Sequence, residues 1–141
     1  MPANTTPIFT RLGDIQWAVS AATVANTTTD LTSGTIYLIF TSDSTNGGYV
    51  QRIRFRSLGT NSNATVARIW INNGSTTGTA ANNILWDEIS LPATTVSQTA
   101  ALPNYELPLN FALPASYRIY ATLGTAPTSA GWDITIIGGK Y

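Results

Sequence analysis

The chain has 141 residues, 43% of them hydrophobic, which is enough for one globular domain and argues against a disordered chain. Seven basic and seven acidic side chains cancel to zero net charge, which excludes long-range attraction to nucleic acid or to an anionic membrane. Cysteine and histidine are both absent, which excludes disulfides, thiol chemistry and metal sites built from these two residues.

The first residues predict an extended arm that precedes the folded body. Pro2 and Pro7 bracket a short polar run in "MPANTTPIFTRLGD", and each proline fixes φ and removes a backbone donor. Such a segment becomes ordered when a neighbour ties it down. We predict residues 1–14 as an arm and residues 15–141 as one domain. The arm residues expected to contact a neighbouring subunit are Pro2, Pro7, Phe9 and Arg11.

From Ile15 onward the chain predicts β-strands alone. Segments rich in Ile, Val, Thr, Tyr, Phe and Trp are separated by turns rich in Gly, Asn, Ser and Pro. Five prolines cut the second half into pieces too short for a helix. The predicted strands are Ile15–Thr23, Thr35–Ser42, Tyr49–Leu58, Thr65–Asn72, Ile84–Leu91, Tyr105–Ala112, Tyr117–Leu123 and Trp132–Gly138, with a weaker candidate at Thr94–Ala101.

Several segments alternate between two sets of side chains, which is typical of an antiparallel sheet with one buried face. In Tyr117–Leu123, for example, Ile119 and Ala121 point away from Tyr120. Pro108 lies inside the strand Tyr105–Ala112, which is therefore predicted to be an edge strand or to contain a bulge. We predict an all-β fold, an antiparallel β-sandwich. A jelly roll is the expected arrangement, and an immunoglobulin-like sandwich is its competitor.

Three of the six arginines lie within five residues, in "RIRFR" at Arg52–Arg56. Because side chains alternate along a strand, Arg52, Arg54 and Arg56 project from one face about 6.8 Å apart, while Ile53 and Phe55 face the core. Nucleic-acid binding, protection of an edge strand, a subunit interface and an ordinary paired surface are the alternatives. We favour the subunit interface, because the rest of the chain adds no basic patch and arginine suits a polar contact between subunits.

The acidic residues predict neither a catalytic pair nor a metal site. Asp87 and Glu88 are adjacent on a predicted strand, so their carboxylates point to opposite faces. The stretch "SDSTNGG" at Ser42–Gly48 has one acid where a calcium loop needs several, and it predicts a hairpin turn with Asn46-Gly47 at the corner. We therefore expect no enzymatic activity, no metal and no cofactor.

The closing part, "LPLNFALPASYRIYATLGTAPTSAGWDITIIGGKY", together with the leading arm and the Thr-, Asn- and Ala-rich sandwich, resembles small structural proteins of tailed bacteriophages. Within it, "LPASYRIYATLG" is similar to the strand–turn–strand of trimeric jelly-roll virion modules. In those modules "LPA" turns the chain, and the next strand, here Tyr117–Leu123, returns to the core. The resemblance covers about residues 15–141 and defines no catalytic or binding residues.

The nearest functional class in this family is the capsid decoration, or cement, protein. The resemblance implies a homotrimer on the capsid surface of a virion, bound to the major capsid protein or other virion subunits, which stabilises the head against internal DNA pressure. The alternative is a receptor- or glycan-binding module of a phage fibre or spike, or of a cell-surface adhesin. Its sugar platform would be formed by exposed aromatic residues among Trp17, Trp70, Trp86, Trp132 and the tyrosines.

Overall fold

A computed structural model describes residues 10–141 as eight β-strands and one short 3-10 helix, Ala80–Asn82. The strands are β1 (Leu12–Trp17), β2 (Tyr37–Thr41), β3 (Gly48–Ser57), β4 (Thr65–Asn72), β5 (Asn83–Leu91), β6 (Asn104–Leu113), β7 (Arg118–Leu123) and β8 (Trp132–Lys140). Each of the eight principal predicted strands is present; β4 has the predicted bounds, and the other strands differ at one or both ends. In residues 10–141, no helix has the length and apolar character that a membrane span requires.

Two strand predictions need correction. The weaker candidate Thr94–Ala101 is wrong, because this segment forms bends and Thr94 makes only an isolated bridge with Asn61. The first strand begins at Leu12, inside the predicted arm, and ends at Trp17, well before Thr23. The strand ends early because the chain leaves the ladder with β8 after the Trp17–Thr135 pair.

The strands form two four-stranded antiparallel sheets packed face to face, which confirms the predicted β-sandwich. The first sheet has the order β1-β8-β3-β6, and the second has the order β2-β7-β4-β5. The pairings are nested along the chain: β1 pairs with β8, β2 with β7, β3 with β6 and β4 with β5. β1 and β2 are therefore the edge strands at one side of the sandwich, and β5 and β6 are the edge strands at the other.

The core lies between the two sheets and is built from the inward half of each alternating strand. On β7, Ile119 and Ala121 are fully buried, so this strand runs through the core as predicted. Burial of a large apolar side chain contributes about 1.5–3 kcal/mol. The buried apolar side chains of β3 and β8 are those of Val50, Ile53, Phe55, Trp132, Ile134 and Ile136.

The long connection between β1 and β2 covers part of the outer face of the second sheet. Leu31 is buried against Trp70 of β4 and Tyr120 of β7, which point away from the central core. Leu31 has a φ of 62°, in the left-handed region that non-glycine residues seldom adopt. The burial of its side chain offsets this backbone strain and explains why Trp70 is buried on an outward-facing position.

Pro108 was predicted to lie in an edge strand or beside a bulge, and both alternatives are confirmed. β6 is an edge strand, and its ladder with β3 shifts register between Val50 and Arg52, next to the Arg52–Pro108 pair. Asn110 has a φ of 53° in the same irregular segment. An edge strand with a bulge tolerates proline because the missing donor is not needed by a second neighbour.

The turn at Ser42–Gly48 is not the predicted hairpin, because β2 belongs to the second sheet and β3 to the first. It carries the chain from one sheet to the other. Its local chemistry follows the sequence: Asp43 Oδ1 accepts hydrogen bonds from the N–H groups of Thr45 and Asn46, both at 2.9 Å. Gly47 then adopts a φ of 76°, which suits glycine.

Candidate interaction surfaces

The arginine-rich segment lies on β3 and projects from the outer face of the first sheet. Ile53 and Phe55, between the arginines, are fully buried, as the alternation predicts. β3 lies between β8 and β6, so both of its backbone edges are hydrogen-bonded to a neighbouring strand. Protection of an edge strand is therefore excluded as the reason for the three arginines.

The register of the first sheet places an exposed tryptophan in line with the arginines. Trp17 of β1 lies opposite Thr135 of β8, which lies opposite Arg54 of β3. Strands are about 4.8 Å apart, so Trp17 lies about 10 Å from Arg54 across the sheet. The next row places Ile15 in line with Arg52 in the same way, through Ile137.

Trp17 and Ile15 are 64% and 59% exposed, although both are large apolar residues. Together with the three arginines they form a surface that combines aromatic, aliphatic and guanidinium groups. We name this surface, Ile15, Trp17, Arg52, Arg54 and Arg56, the arginine face.

A carboxylate of β6 pairs weakly with two of the arginines. Glu106 Oε2 lies 3.7 Å from Arg52 Nε, and Glu106 Oε1 lies 3.8 Å from Arg54 Nε. Exposed pairs of this kind contribute roughly 0–1 kcal/mol. Arg56 instead donates a 2.9 Å hydrogen bond from Nη1 to Asn104 Oδ1. Within residues 10–141, Arg56 has no carboxylate at ion-pair distance, although Asp133 lies opposite it on β8.

A second exposed surface lies at the side of the sandwich where β5 and β6 are the edge strands. Ile84, Leu85 and Trp86 of β5 are all exposed. Trp86 is the extra residue of a β-bulge, and its ring centroid lies 4.8 Å from that of Phe111 on β6. We name this surface, Ile84–Glu88 with Phe111, the open edge.

The open edge is acidic. Glu88 lies opposite Arg68 and Asp87 lies opposite Ile69, so the adjacent carboxylates point to opposite faces, as predicted. Glu88 Oε1 is 2.8 Å from Arg68 Nε. Asp87 Oδ1 accepts only a local 2.7 Å hydrogen bond from the N–H of Glu88, and no cation lies at ion-pair distance from it within residues 10–141.

The opposite side of the sandwich is closed by a side chain. Gln16 of β1 donates from Nε2 to the carbonyl oxygen of Thr41 on β2, and its Oε1 accepts from the N–H of Thr41, both at 2.9 Å. These two bonds join the sheets and occupy backbone groups of the β2 edge. The β5 edge is thus the better template for contact with another chain.

A scan against protein-family models finds no match for this chain, and searches of curated proteins and of solved structures find none either. The function must therefore be inferred from the exposed surfaces of the protein. Within residues 10–141, no three acidic side chains come together as a metal site would require. A groove of about 500 Å³ includes Arg68 in its lining. Arg68 Nε pairs with Glu88 Oε1 at 2.8 Å, whereas its buried Nη1 has no hydrogen-bond partner within residues 10–141.

The predicted interface residues divide into three groups. β3 brings Arg52, Arg54 and Arg56 together. Arg11 is exposed just before β1, where its N–H donates to the carbonyl oxygen of Lys140 at 2.7 Å. Pro2, Pro7 and Phe9 lie outside the described residues.

The interface predicted from the sequence did not include the apolar members of either surface, although Trp17 and Trp86 were among the candidates for an exposed aromatic platform. Of the four tryptophans, Trp70 and Trp132 are buried, whereas Trp17 and Trp86 are exposed. The alternation in "IQW" already puts Ile15 and Trp17 on one face of β1, but it does not indicate which face is buried. That signal becomes informative only when the register with β8 is known.

Proposed function

We propose that this protein is a structural subunit that adheres to copies of itself and to a larger assembly, and more specifically a capsid decoration protein on a virion. The exposure of two mixed apolar and charged surfaces, the arginine face and the open edge, carries this proposal. Aromatic residues and arginine are enriched in protein interfaces. Because only 10% of the residues are charged, little repulsion keeps such surfaces apart.

We infer that the sandwich is a jelly roll. The nested pairing from β1–β8 to β4–β5 is what an eight-stranded hairpin produces when it rolls into two sheets. An immunoglobulin-like sandwich would instead pair its first two strands within one sheet. Here β1 and β2 lie in different sheets, which favours the jelly roll. That fold is used by viral capsid and lectin domains, so it is compatible with the proposed function by analogy alone.

A decoration protein needs many modest contacts repeated over a lattice, because avidity multiplies weak interactions. The exposed charges of the arginine face suit such contacts, since each contributes little alone. The part of the predicted arm that precedes β1 adds contacts to a neighbouring subunit and offsets its ordering cost by doing so.

Imaging of virions tests this function directly. Particles of the phage that encodes the chain are compared with particles from which its gene has been deleted, before and after purified protein is added back. We expect extra density on the capsid surface, and heads that burst at lower temperature without the protein. A variant with Arg52, Arg54 and Arg56 all replaced by Gln should bind heads more weakly, whereas Arg118→Gln, on another strand, should bind normally. Intact particles that never contain the protein would overturn the proposal.

A glycan-binding module is the second candidate, because Trp17 and Trp86 expose 64% and 49% of their surface. Exposed aromatic rings of this kind stack on sugars as well as on proteins. A glycan array with the wild type and with the Trp17→Ala and Trp86→Ala variants separates the two functions. A reproducible sugar signal that either variant loses would favour glycan binding, and head binding without a sugar signal would favour decoration.

A further inference from the structure

We propose that the open edge of one copy docks on the arginine face of the next, so that the chain assembles head to tail through two different surfaces. This inference deepens the proposed function and depends on it only for the expectation that copies associate. The partner of each surface is a second copy of this chain.

The two surfaces have complementary charge. The arginine face presents three guanidinium groups against the carboxylates of Glu106 and Asp133. The open edge presents Asp87 and Glu88 against Arg68. Within residues 10–141, Arg56 and Asp87 each lack an ion-pair partner in their own chain. A contact between the two surfaces supplies each of them with the opposite charge.

The same residues disfavour contact between two open edges and between two arginine faces. Asp87 is the middle residue of β5, so two β5 strands paired antiparallel in register would place two Asp87 carboxylates opposite one another. Like charges directly opposite destabilise a sheet, and charges on an edge strand block edge-to-edge pairing. Two arginine faces brought together would repel in the same way. A different, basic surface is therefore the better partner for the open edge.

The open edge and the arginine face each place an apolar group near a charged group. Because Trp86 is an extra residue, Ile84 and Asp87 lie opposite Ile71 and Ile69, so they share one face of β5 about 7 Å apart. Trp17 lies about 10 Å from Arg54 across the first sheet. The long arginine side chain can span this difference, so a strand that lies across the arginine face can place Ile84 against Trp17 and Asp87 against an arginine. Ile84 is 60% exposed, so this contact removes apolar surface from water on both partners.

Such a contact is heterologous, because each copy uses its open edge on one neighbour and its arginine face on the other. Heterologous contacts close into a ring where the rotation allows and otherwise form an open filament.

Charge reversal tests the docking. Sedimentation velocity is measured for the full chain and for Asp87→Arg, Arg56→Glu and the double variant. We expect each single variant to weaken association at least tenfold and the double variant to recover it, because the reversed charges are again opposite. Arg118→Glu, outside both surfaces, serves as the control and should associate as the wild type. Urea unfolding of each variant shows whether the fold is retained.

Several outcomes would overturn the inference. These are a wild type that stays monomeric at about 100 μM, single variants that associate normally, or a double variant that does not recover. A dimer strengthened by the neutral change Asp87→Asn, which removes repulsion between two Asp87 carboxylates, would indicate β5–β5 pairing instead. Loss of association only when residues 2–9 are deleted would assign the contact to the arm. Binding to phage heads is measured separately. Monomers that bind heads would refute the docking between copies but keep the proposed function. Assemblies that bind no head would refute the proposed function but keep the docking.

Discussion

Glu106 lies directly opposite Arg54 across the β3–β6 ladder, with Glu106 Oε1 3.8 Å from Arg54 Nε. We predict that Glu106→Gln changes the free energy of unfolding by less than about 1 kcal/mol, because both side chains are partly exposed. The same change should strengthen self-association, because it removes a negative charge from the arginine face. Urea unfolding and sedimentation velocity on one sample measure the two effects.

Glu88→Gln is the matched control, since it makes the same chemical change on the open edge. There it should weaken association, because the acidic surface loses a charge. Two variants that shift association in the same direction would contradict the charge assignment of the two surfaces. A loss of more than about 2 kcal/mol in Glu106→Gln would show that this carboxylate is a structural group.

Asn61 holds a buried network that joins its own loop to the end of β3 and to the loop before β8. Its Nδ2 donates to Ser57 Oγ and to the carbonyl oxygen of Gly131, and its Oδ1 accepts from the N–H groups of Ala130 and Gly131. We predict that Asn61→Ala lowers the free energy of unfolding by about 2–4 kcal/mol, because buried donors and acceptors lose their partners. Chemical denaturation measures this loss. Asn63→Ala, which removes one 3.2 Å bond near the surface, should cost less than about 1 kcal/mol.

Leu31 seals the outer cluster on the second sheet, where it is 1% exposed against Trp70 and Tyr120. Leu31→Ala should lower the free energy of unfolding by about 2–4 kcal/mol, because it leaves a cavity beside Trp70. The backbone strain at φ 62° is unchanged by alanine, so the loss reports the side chain alone. Tryptophan fluorescence should also shift to the red. Leu58→Ala, at a residue 51% exposed, is the control and should change stability little.

The sequence correctly predicted the features that depend on local backbone geometry alone. Ile53 and Phe55 point inward and the three arginines outward because a strand has a period of two, wherever it lies in the sheet. Pro108 marked an edge strand because proline lacks a donor, which is again a property of one residue. These predictions needed no knowledge of the neighbouring strand.

Features that depend on distant partners were not predicted. The hairpin expected at Ser42–Gly48 failed because β2 pairs with β7, far along the chain, and a turn sequence does not specify the partner of a strand. The buried roles of Asn61 and Leu31 were not predicted, since the groups that they contact belong to other loops and strands. Whether Trp17 is exposed likewise depends on a register that no local pattern contains.

Gly138 allows two strands to approach closely beside the bulge in β3. A Cβ at this position would collide with the carbonyl oxygen of Tyr49 and lie 3.3 Å from Val50 Cα. Gly138→Ala should therefore lower the free energy of unfolding by about 1–3 kcal/mol, since the backbone of β3 must move. Urea unfolding tests this by comparing the loss in the free energy of unfolding in Gly138→Ala with that in Gly78→Ala. A Cβ on Gly78 meets only Thr76 Oγ1 at 3.5 Å, so equal losses in both variants would contradict the steric explanation.

Two aspartates in turns should determine how stability responds to acid. The N–H groups of Asn46 and Thr45 lower the pKa of Asp43, and the N–H and hydroxyl of Thr32 lower the pKa of Asp30. Unfolding removes these bonds, so each pKa returns to its ordinary value of about 3.9. The folded state then binds fewer protons than the unfolded state in acid, and stability must fall as the pH drops.

We predict that the free energy of unfolding is nearly constant between about pH 5 and 8 and falls below about pH 4. It is constant in the upper range because the chain has no histidine to titrate there. Urea unfolding at a series of pH values measures the curve. The Asp30→Asn, Asp43→Asn double variant keeps the side-chain acceptors but removes both charges, so its curve should fall less steeply in acid. An equally steep fall in the variant would assign the acid sensitivity to other carboxylates.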